Sequence, residues 1–284
     1  MRRSLLGIVY CATFALLAAL AWRGRDYYAL ALIERPHHPL HWQLKPGGTL
    51  GVAYGIAGLG AMTAMLGYSL RKRLRPLRRL GGLRAWLDFH IWCGIVGPLL
   101  ILLHSALKVG GLIAIAFWSM VTVALSGVVG RFLYAQIPRT AAGDQLSLQE
   151  ARALDAALRE RLREPSGASA EDLDSLVGDE PPRGEPSVVA SLVGLALEPF
   201  RFRARFARFR SSHPGVPRAS LARLRSLALQ RAILARRLAL WNRLHELFHY
   251  WHVAHKPFAL LMYLFAALHV GVAWATGYAL MGGR

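Results

Sequence analysis

Four histidines form two pairs with the same spacing: His90 with His104, and His255 with His269. Each pair lies on a stretch that is apolar enough to cross a membrane. Fourteen residues at about 100° each complete four turns less roughly 40°, so both members of a pair face nearly the same side of a helix. They would stand ~21 Å apart along its axis. Two such helices side by side would hold two iron porphyrins, one near each membrane face, with an imidazole from each helix on each iron.

The composition indicates the kind of helix that carries these histidines. The chain has 284 residues, is 54% hydrophobic and yet has a net charge of +19. Long apolar runs alternate with arginine-rich connectors, which is the pattern of a polytopic membrane protein. The apolar runs are too long for soluble helices, so the positive charge does not indicate a nucleic-acid-binding protein.

The sequence predicts an all-α membrane protein with five transmembrane helices forming a haem-binding bundle, and a large cytoplasmic helical insert before the last span. Residues 1–137 would hold the first four spans, 138–250 a partly disordered cytoplasmic or interfacial insert, and 251–284 the fifth span and an outer C-terminus. A secretory signal is the alternative for the first span, but its apolar stretch is long and lacks a convincing cleavage site. The predicted spans are Leu5–Trp22, Thr49–Leu70, Ala85–Leu107, Gly111–Tyr134 and about Pro257–Tyr278.

The connectors predict the orientation of these spans. The segment Arg71–Arg84 has seven basic residues and no acid, which the positive-inside rule places in the cytoplasm. The N-terminus is then cytoplasmic and the C-terminus outside. The third and fifth spans run in the same direction, so His90 should lie at the depth of His255, and His104 at the depth of His269.

The insert combines several kinds of segment. Ser147–Arg163 has a helical apolar pattern, and Pro165–Pro186 has the composition of a mobile loop. The segment FRFRARFARFR (Phe200–Arg210) alternates aromatic residues with arginines, which suits anionic lipid headgroups; binding of a soluble donor subunit is the alternative. Arg218–Tyr250 is predicted to form one long amphipathic helix leading to the fifth span.

Other histidines compete for these roles. His252 is the alternative to His255 at the inner site, but it is about 100° out of phase with His269, which favours His255. His245 and His249 lie earlier, on the predicted interfacial helix. The outer loop contains HHPLH, with His37, His38 and His41; a solvated loop and a metal or partner contact both remain open.

Basic residues near the predicted inner face are candidates to pair with haem propionates: Arg84, Arg131 and Lys256, with Lys108 as the outer counterpart. The alternative is that these charges only set the topology. The two cysteines, Cys11 and Cys93, lie in apolar segments, and no Cys-x-x-Cys-His is present for covalent haem attachment. Any haem would therefore be b-type, held by coordination and packing.

The segments Asp88–Lys108, Trp118–Arg139 and Trp251–Val270 resemble the di-haem transmembrane domain of ferric reductases, NADPH oxidases and the haem-binding subunit of bacterial methionine sulfoxide reductase systems. Cytochromes of the b561 type are similar in their paired histidines. The resemblance covers about half of the chain and implies two haem b groups, with His90, His104, His255 and His269 as the axial ligands. It also implies a location in the bacterial cytoplasmic membrane.

The expected function is a di-haem cytochrome b that carries electrons between a cytoplasmic-side donor or quinol and an outer-side acceptor. No GxGxxG follows a strand, so we expect NAD(P)H oxidation to lie outside this chain, and redox subunits to complete a larger complex. One alternative is a quinol-oxidising anchor subunit of a respiratory complex. Another, of a different class, is a histidine-based metal transporter without haem, and a purely structural membrane subunit is the last.

Overall fold

The computed structural model describes residues 2–138, 145–163, 170–178 and 187–277. These ranges fold into helices joined by turns, without an extended strand, so the predicted all-α class is confirmed. The chain forms two compact units. Unit 1 comprises Met1–Val129 and Trp251–Arg284, and unit 2 comprises Gly130–Tyr250.

The helices of the first part of the chain are separated by short turns, several of which contain glycine or proline. Those before the insert are α1 (Arg2–Arg23), α2 (Arg25–Ala29), α3 (His41–Leu44), α4 (Thr49–Ala64), α5 (Gly67–Arg73), α6 (Leu83–Ser105) and α7 (Ile113–Gln136). The remaining ones are α8 (Leu148–Arg163), α9 (Ala170–Val177), α10 (Val188–Ser212), α11 (Arg218–Ala239) and α12 (Trp241–Ala275).

Four helical segments are long and apolar enough to cross a membrane: His41–Arg73, Leu83–Ser105, Ile113–Gln136 and Trp241–Ala275. They coincide with the second to fifth predicted spans. The predicted first span corresponds to α1, whose apolar part Gly7–Arg23 is shorter than these four. The structure therefore supports a membrane protein with four candidate spans, and a fifth span remains a prediction. The end of the last predicted span, Tyr278, lies outside the described residues.

Helices α4 and α6 pack closely because small residues lie where they cross. A Cβ atom added to Gly97 would come within 2.6 Å of the Met62 side chain and 3.1 Å of the Gly58 carbonyl oxygen. Any larger residue at Gly97 would push the two helices apart. This close approach fixes α6, and with it His90 and His104, against one side of α4.

A buried arginine ties the loop after α2 to the end of α6. Arg35 is 6% exposed, and its guanidinium donates to the carbonyl oxygens of Leu30, Tyr28 and Ala106. Ala106 has a left-handed backbone conformation, with φ of 46°, and ends the helix one residue beyond Ser105. Burial raises the pKa of Tyr28 to about 12, so its phenol stays protonated and donates to the Leu103 carbonyl.

Unit 2 has its own hydrophobic core. Leu162, Leu176, Phe202, Leu224 and Ala228 are buried in one cluster drawn from α8, α9, α10 and α11. The fully buried Glu198 carboxylate of α10 sits between the guanidiniums of Arg205 and Arg236. A buried carboxylate needs such partners, because an unpaired charge would be strongly destabilising.

A second ion-pair network lies at the edge of this core, around Asp174 of α9. Burial would raise the pKa of Asp174, but the hydrogen bond from Arg231 and the positive charges of Arg231 and Arg159 outweigh it and lower the pKa. Asp174 therefore remains ionised at neutral pH and links α9 to both α8 and α11.

The structure differs from the sequence-based expectation at two places in the insert. The predicted single helix Arg218–Tyr250 is two helices, because the chain turns at Leu240 before α12 begins at Trp241. Within the predicted loop Pro165–Pro186, residues Ala170–Val177 form α9, whose apolar residues Leu173 and Leu176 enter the core of unit 2. The rest of that predicted loop lies outside the described residues. The predicted helix in Ser147–Arg163 is present as α8.

Candidate functional site

The structure brings two of the four singled-out histidines close together. The ring centres of His104 on α6 and His269 on α12 are 6.4 Å apart, with 66° between the ring planes. This is the outer pair predicted from the spacing. The two residues come from helices that are distant in sequence, so their meeting is a property of the fold and not of either helix alone.

The distance between these rings suits a shared metal. A transition-metal–imidazole bond is about 2.0–2.1 Å long, so two rings on opposite sides of one ion have centres about 6.3 Å apart. The observed 6.4 Å agrees with this value. The angle between the planes is free, because both rings can turn about the nitrogen–metal–nitrogen axis. The distance between the two ring centres therefore fits one metal ion bound between the imidazoles.

The ring of His104 is held by a hydrogen bond to α4. Its Nδ1–H donates to the carbonyl oxygen of Gly51 on α4 at 2.8 Å, which leaves the lone pair on Nε2. Metal-binding histidines usually make a hydrogen bond of this kind with the nitrogen that does not bind the metal. Gly55, one turn along α4, makes room for the ring: a Cβ atom there would lie 2.7 Å from Nδ1 of His104.

His90 is oriented in the same way, about four turns away along α6. Its Nδ1–H donates to the carbonyl oxygen of Met65 at 3.0 Å, and the ring of Tyr68 packs against it with centres 5.4 Å apart. Both α6 histidines thus use carbonyl groups on the α4 side of the bundle and keep Nε2 available.

His255 of α12 is positioned by α7. The Ser126 hydroxyl donates its hydrogen to the Val123 carbonyl at 3.0 Å, so its oxygen accepts from Nδ1–H of His255 at 2.8 Å. The Ser126 carbonyl accepts a second bond, at 2.7 Å, from the indole N–H of Trp251. The Trp251 ring packs against His255, with centres 4.8 Å apart. One serine therefore fixes both the imidazole and the indole that covers it.

The remaining histidines have other surroundings. The ring of His252 packs edge-on against Trp251 at 4.6 Å. His245 bonds to the Trp241 carbonyl, and His249 contacts Tyr250. In the predicted outer loop, His41 is half-buried and shares a hydrogen bond of 3.3 Å with the Tyr27 hydroxyl.

The basic candidates lie on the surface. Arg84, Lys108 and Lys256 are exposed, and the guanidinium of Arg131 is exposed 5.8 Å above the ring of Tyr134. In the described part of the chain, no hydrogen bond joins these side chains to the four histidines. Their role as propionate partners remains a prediction.

A layer of methionines separates the two histidine levels. Met62 of α4, Met120 of α7 and Met262 of α12 form one buried cluster. Met262 lies midway between His255 and His269, and Gly97 lies midway between His90 and His104. The hydroxyl of Tyr263 donates to the Met62 carbonyl and joins α12 to α4 at this level. Flexible thioether side chains fill irregular space well, which suits a layer between two sites.

Comparison with protein-family models, with curated proteins and with solved structures finds no match to this chain. The interpretation of the site therefore depends on its own geometry. Within the described residues, there is no group of three or more His, Cys, Asp or Glu side chains placed to hold a metal ion.

Several groups that build the site had no signal in the sequence. Ser126, Gly55 and the Met65 carbonyl act through contacts with residues 25 to 129 positions away or on another helix. Serine and glycine are common in membrane helices, so their types alone did not single them out. These groups could have been found only by asking which residues of the neighbouring helices lie at the same depth as each histidine.

Proposed function

We propose that this protein is a di-haem cytochrome b of the membrane, in which His104 with His269 and His90 with His255 each hold one haem iron. The observation that carries the proposal is the outer pair: two imidazoles 6.4 Å apart, one of them anchored through Nδ1. Two imidazoles alone are fewer protein ligands than zinc usually takes, whereas a porphyrin supplies the other four ligands of an iron.

The protein's part in this chemistry is to hold and orient. Haem iron, when bound between two imidazoles, gains and loses one electron and leaves no position open for oxygen. The hydrogen bonds from Nδ1 to Gly51, Met65 and Ser126 fix the rings and raise the basicity of the ligating nitrogen. The apolar helices exclude water, so ligation and hydrogen bonding set the potentials of the two sites.

The two levels suit electron passage across a membrane. Fourteen residues separate the members of each pair along α6 and α12, which is ~21 Å of helix rise. With the basic segment Arg71–Arg84 on the cytoplasmic side, His90 and His255 lie near the inner face, and His104 and His269 near the outer one. The protein would then carry electrons between a cytoplasmic-side donor or quinol and an outer-side acceptor, in a bacterial cytoplasmic membrane, together with partner redox subunits.

Single-histidine variants test the pairing. His104→Ala and His269→Ala should each remove one b-type haem per chain and the same component of the reduced-minus-oxidised spectrum, because they share an iron. His90→Ala and His255→Ala should remove the other. His37→Ala, which changes an exposed loop histidine, is the matched control and should leave both components unchanged.

The same measurement separates the alternatives. Loss of different components from His104→Ala and His269→Ala would contradict the pairing. Binding of zinc, copper or iron ions by the purified protein, without porphyrin absorbance, would favour the metal transporter. Oxidation of a quinol analogue by the purified chain would identify the quinol-oxidising subunit.

A further inference from the structure

Helix α10 presents apolar side chains on two opposite faces. One face carries Leu195, Phe202 and Phe209, which are buried in unit 2. On the other face, four apolar side chains are exposed at helical spacing: Val189 (70% exposed), Val193 (49%), Leu197 (41%) and Phe200 (62%). Successive steps of four, four and three residues keep them within one stripe of about 80°. This second face needs a partner, because it exposes a continuous apolar surface.

Arginines follow the stripe along α10. At about 100° per residue, Arg201 and Arg208 fall to one side of the line of the stripe and Arg203 and Arg210 to the other, in the turns after Phe200, and all four are exposed. The guanidinium of Arg203 lies 5.5 Å from the ring centre of Phe200. Exposed acids are absent from residues 187–240: the one carboxylate there, Glu198, is fully buried between arginines.

We propose that this face of α10 docks on the anionic surface of the membrane, with the apolar stripe entering the headgroup boundary and the arginines binding lipid phosphates. An apolar stripe with basic residues along its edges is the pattern of helices that lie in the membrane interface. Unit 2 is also tethered there, because the chain enters it from α7 and leaves it through α12, and both are candidate spans.

The docking residues differ from those suggested by the alternation of FRFRARFARFR. Phe202 and Phe209 turn inward to the core, so they are not the anchors. The apolar anchors lie mainly before that segment, at Val189, Val193 and Leu197, and only Phe200 belongs to both. An acidic protein partner would also match the arginines. The tether to the bilayer and the continuous apolar stripe favour lipid.

Spin-label accessibility in the full-length protein tests the proposal independently of any haem. The background is Cys11→Ser; Cys93 is 1% exposed and remains unlabelled. A label at Val193→Cys, in vesicles containing phosphatidylglycerol, should be accessible to oxygen and protected from a water-soluble nickel chelate. A label at Ala157→Cys, an exposed position on α8 among charges of both signs, is the matched control and should be accessible to the chelate.

Charge substitution completes the test. Replacing Arg201, Arg203, Arg208 and Arg210 by Gln should lower the ratio of docked to undocked label by about fivefold for each arginine removed. Placing the unsubstituted protein in vesicles of phosphatidylcholine alone should lower the same ratio to a similar extent. A Val193 label that is open to the chelate in anionic vesicles would overturn the proposal. The proposal would also be overturned if the arginine substitutions left the accessibility of this label unchanged, or if a copurifying protein shielded the label in detergent.

Discussion

At the scale of single residues, the groups that orient the imidazoles matter as much as the imidazoles themselves. Ser126 is the clearest case, because its hydroxyl oxygen lies 3.0 Å from the Val123 carbonyl oxygen and 2.8 Å from Nδ1 of His255. His90 and His104 use backbone carbonyls, which no substitution removes. His255 is therefore the proposed ligand whose hydrogen-bond acceptor can be removed by a single substitution.

Ser126→Ala should weaken haem binding at the inner site by about 10–100-fold, because the Nδ1–H of His255 loses its acceptor. Ser126→Thr keeps a hydroxyl that can still bond to the Val123 carbonyl, and should retain haem. Haem-transfer rates to an apoprotein acceptor, together with a redox titration of each haem, measure the effect. Equal retention and equal potentials in Ser126→Ala and the wild type would show that Ser126 does not position the ligand.

Gly55→Ala tests the space next to His104. The new Cβ atom would lie 2.7 Å from Nδ1, so the ring must move and its bond to the Gly51 carbonyl must stretch. We expect loss or a spectral shift of the outer haem alone. Gly60→Ala is the matched control on the same helix, because a Cβ atom there meets nothing within 4 Å. Unchanged spectra in both variants would contradict the placement of His104 against α4.

At the scale of elements, the loop after α2 is tied to the end of α6, the helix that carries His104. Arg35 makes this link through three carbonyl oxygens, one of them on Ala106, two residues beyond His104. The loop and the ligand-bearing helix should therefore lose stability together when the guanidinium is removed.

Arg35→Ala should destabilise this region by on the order of 3 kcal/mol, because buried carbonyls lose a charged donor. Arg25→Ala, at an exposed position, should change the stability by less than about 0.5 kcal/mol. Thermal unfolding in detergent, followed by circular dichroism and by outer-haem absorbance, gives both readings. Equal unfolding temperatures for the two variants would show that the link through Arg35 does not stabilise α6.

The elements were predictable from sequence where periodicity and apolar length decide them. The predicted third and fourth spans agree with α6 and α7 to within two residues at each end. The break at Leu240 was not predictable, because the sequence there has neither Gly nor Pro and the apolar pattern continues. The inward direction of Phe202 and Phe209 depends on packing against α9 and α11, which local alternation does not encode.

At the scale of the whole molecule, equal spacing of histidines on two helices predicted that His104 and His269 would meet, and their ring centres are 6.4 Å apart although the entire insert separates them in sequence. The pairing of His90 with His255 stays a prediction. Helices α4 and α7 supply the groups that bond to Nδ1 of the histidines. The sequence did not identify these two helices, because hydropathy does not specify the order of helices around a bundle.

The central claim is that each chain holds two haem b groups between two pairs of imidazoles. A pyridine haemochrome assay on the purified, full-length protein tests it most directly, with protein measured by amino-acid analysis. We expect two b-type haems per chain and a reduced-minus-oxidised spectrum with two components. A protein that purifies folded from membranes of a haem-replete host, and yet contains no porphyrin, would contradict the claim.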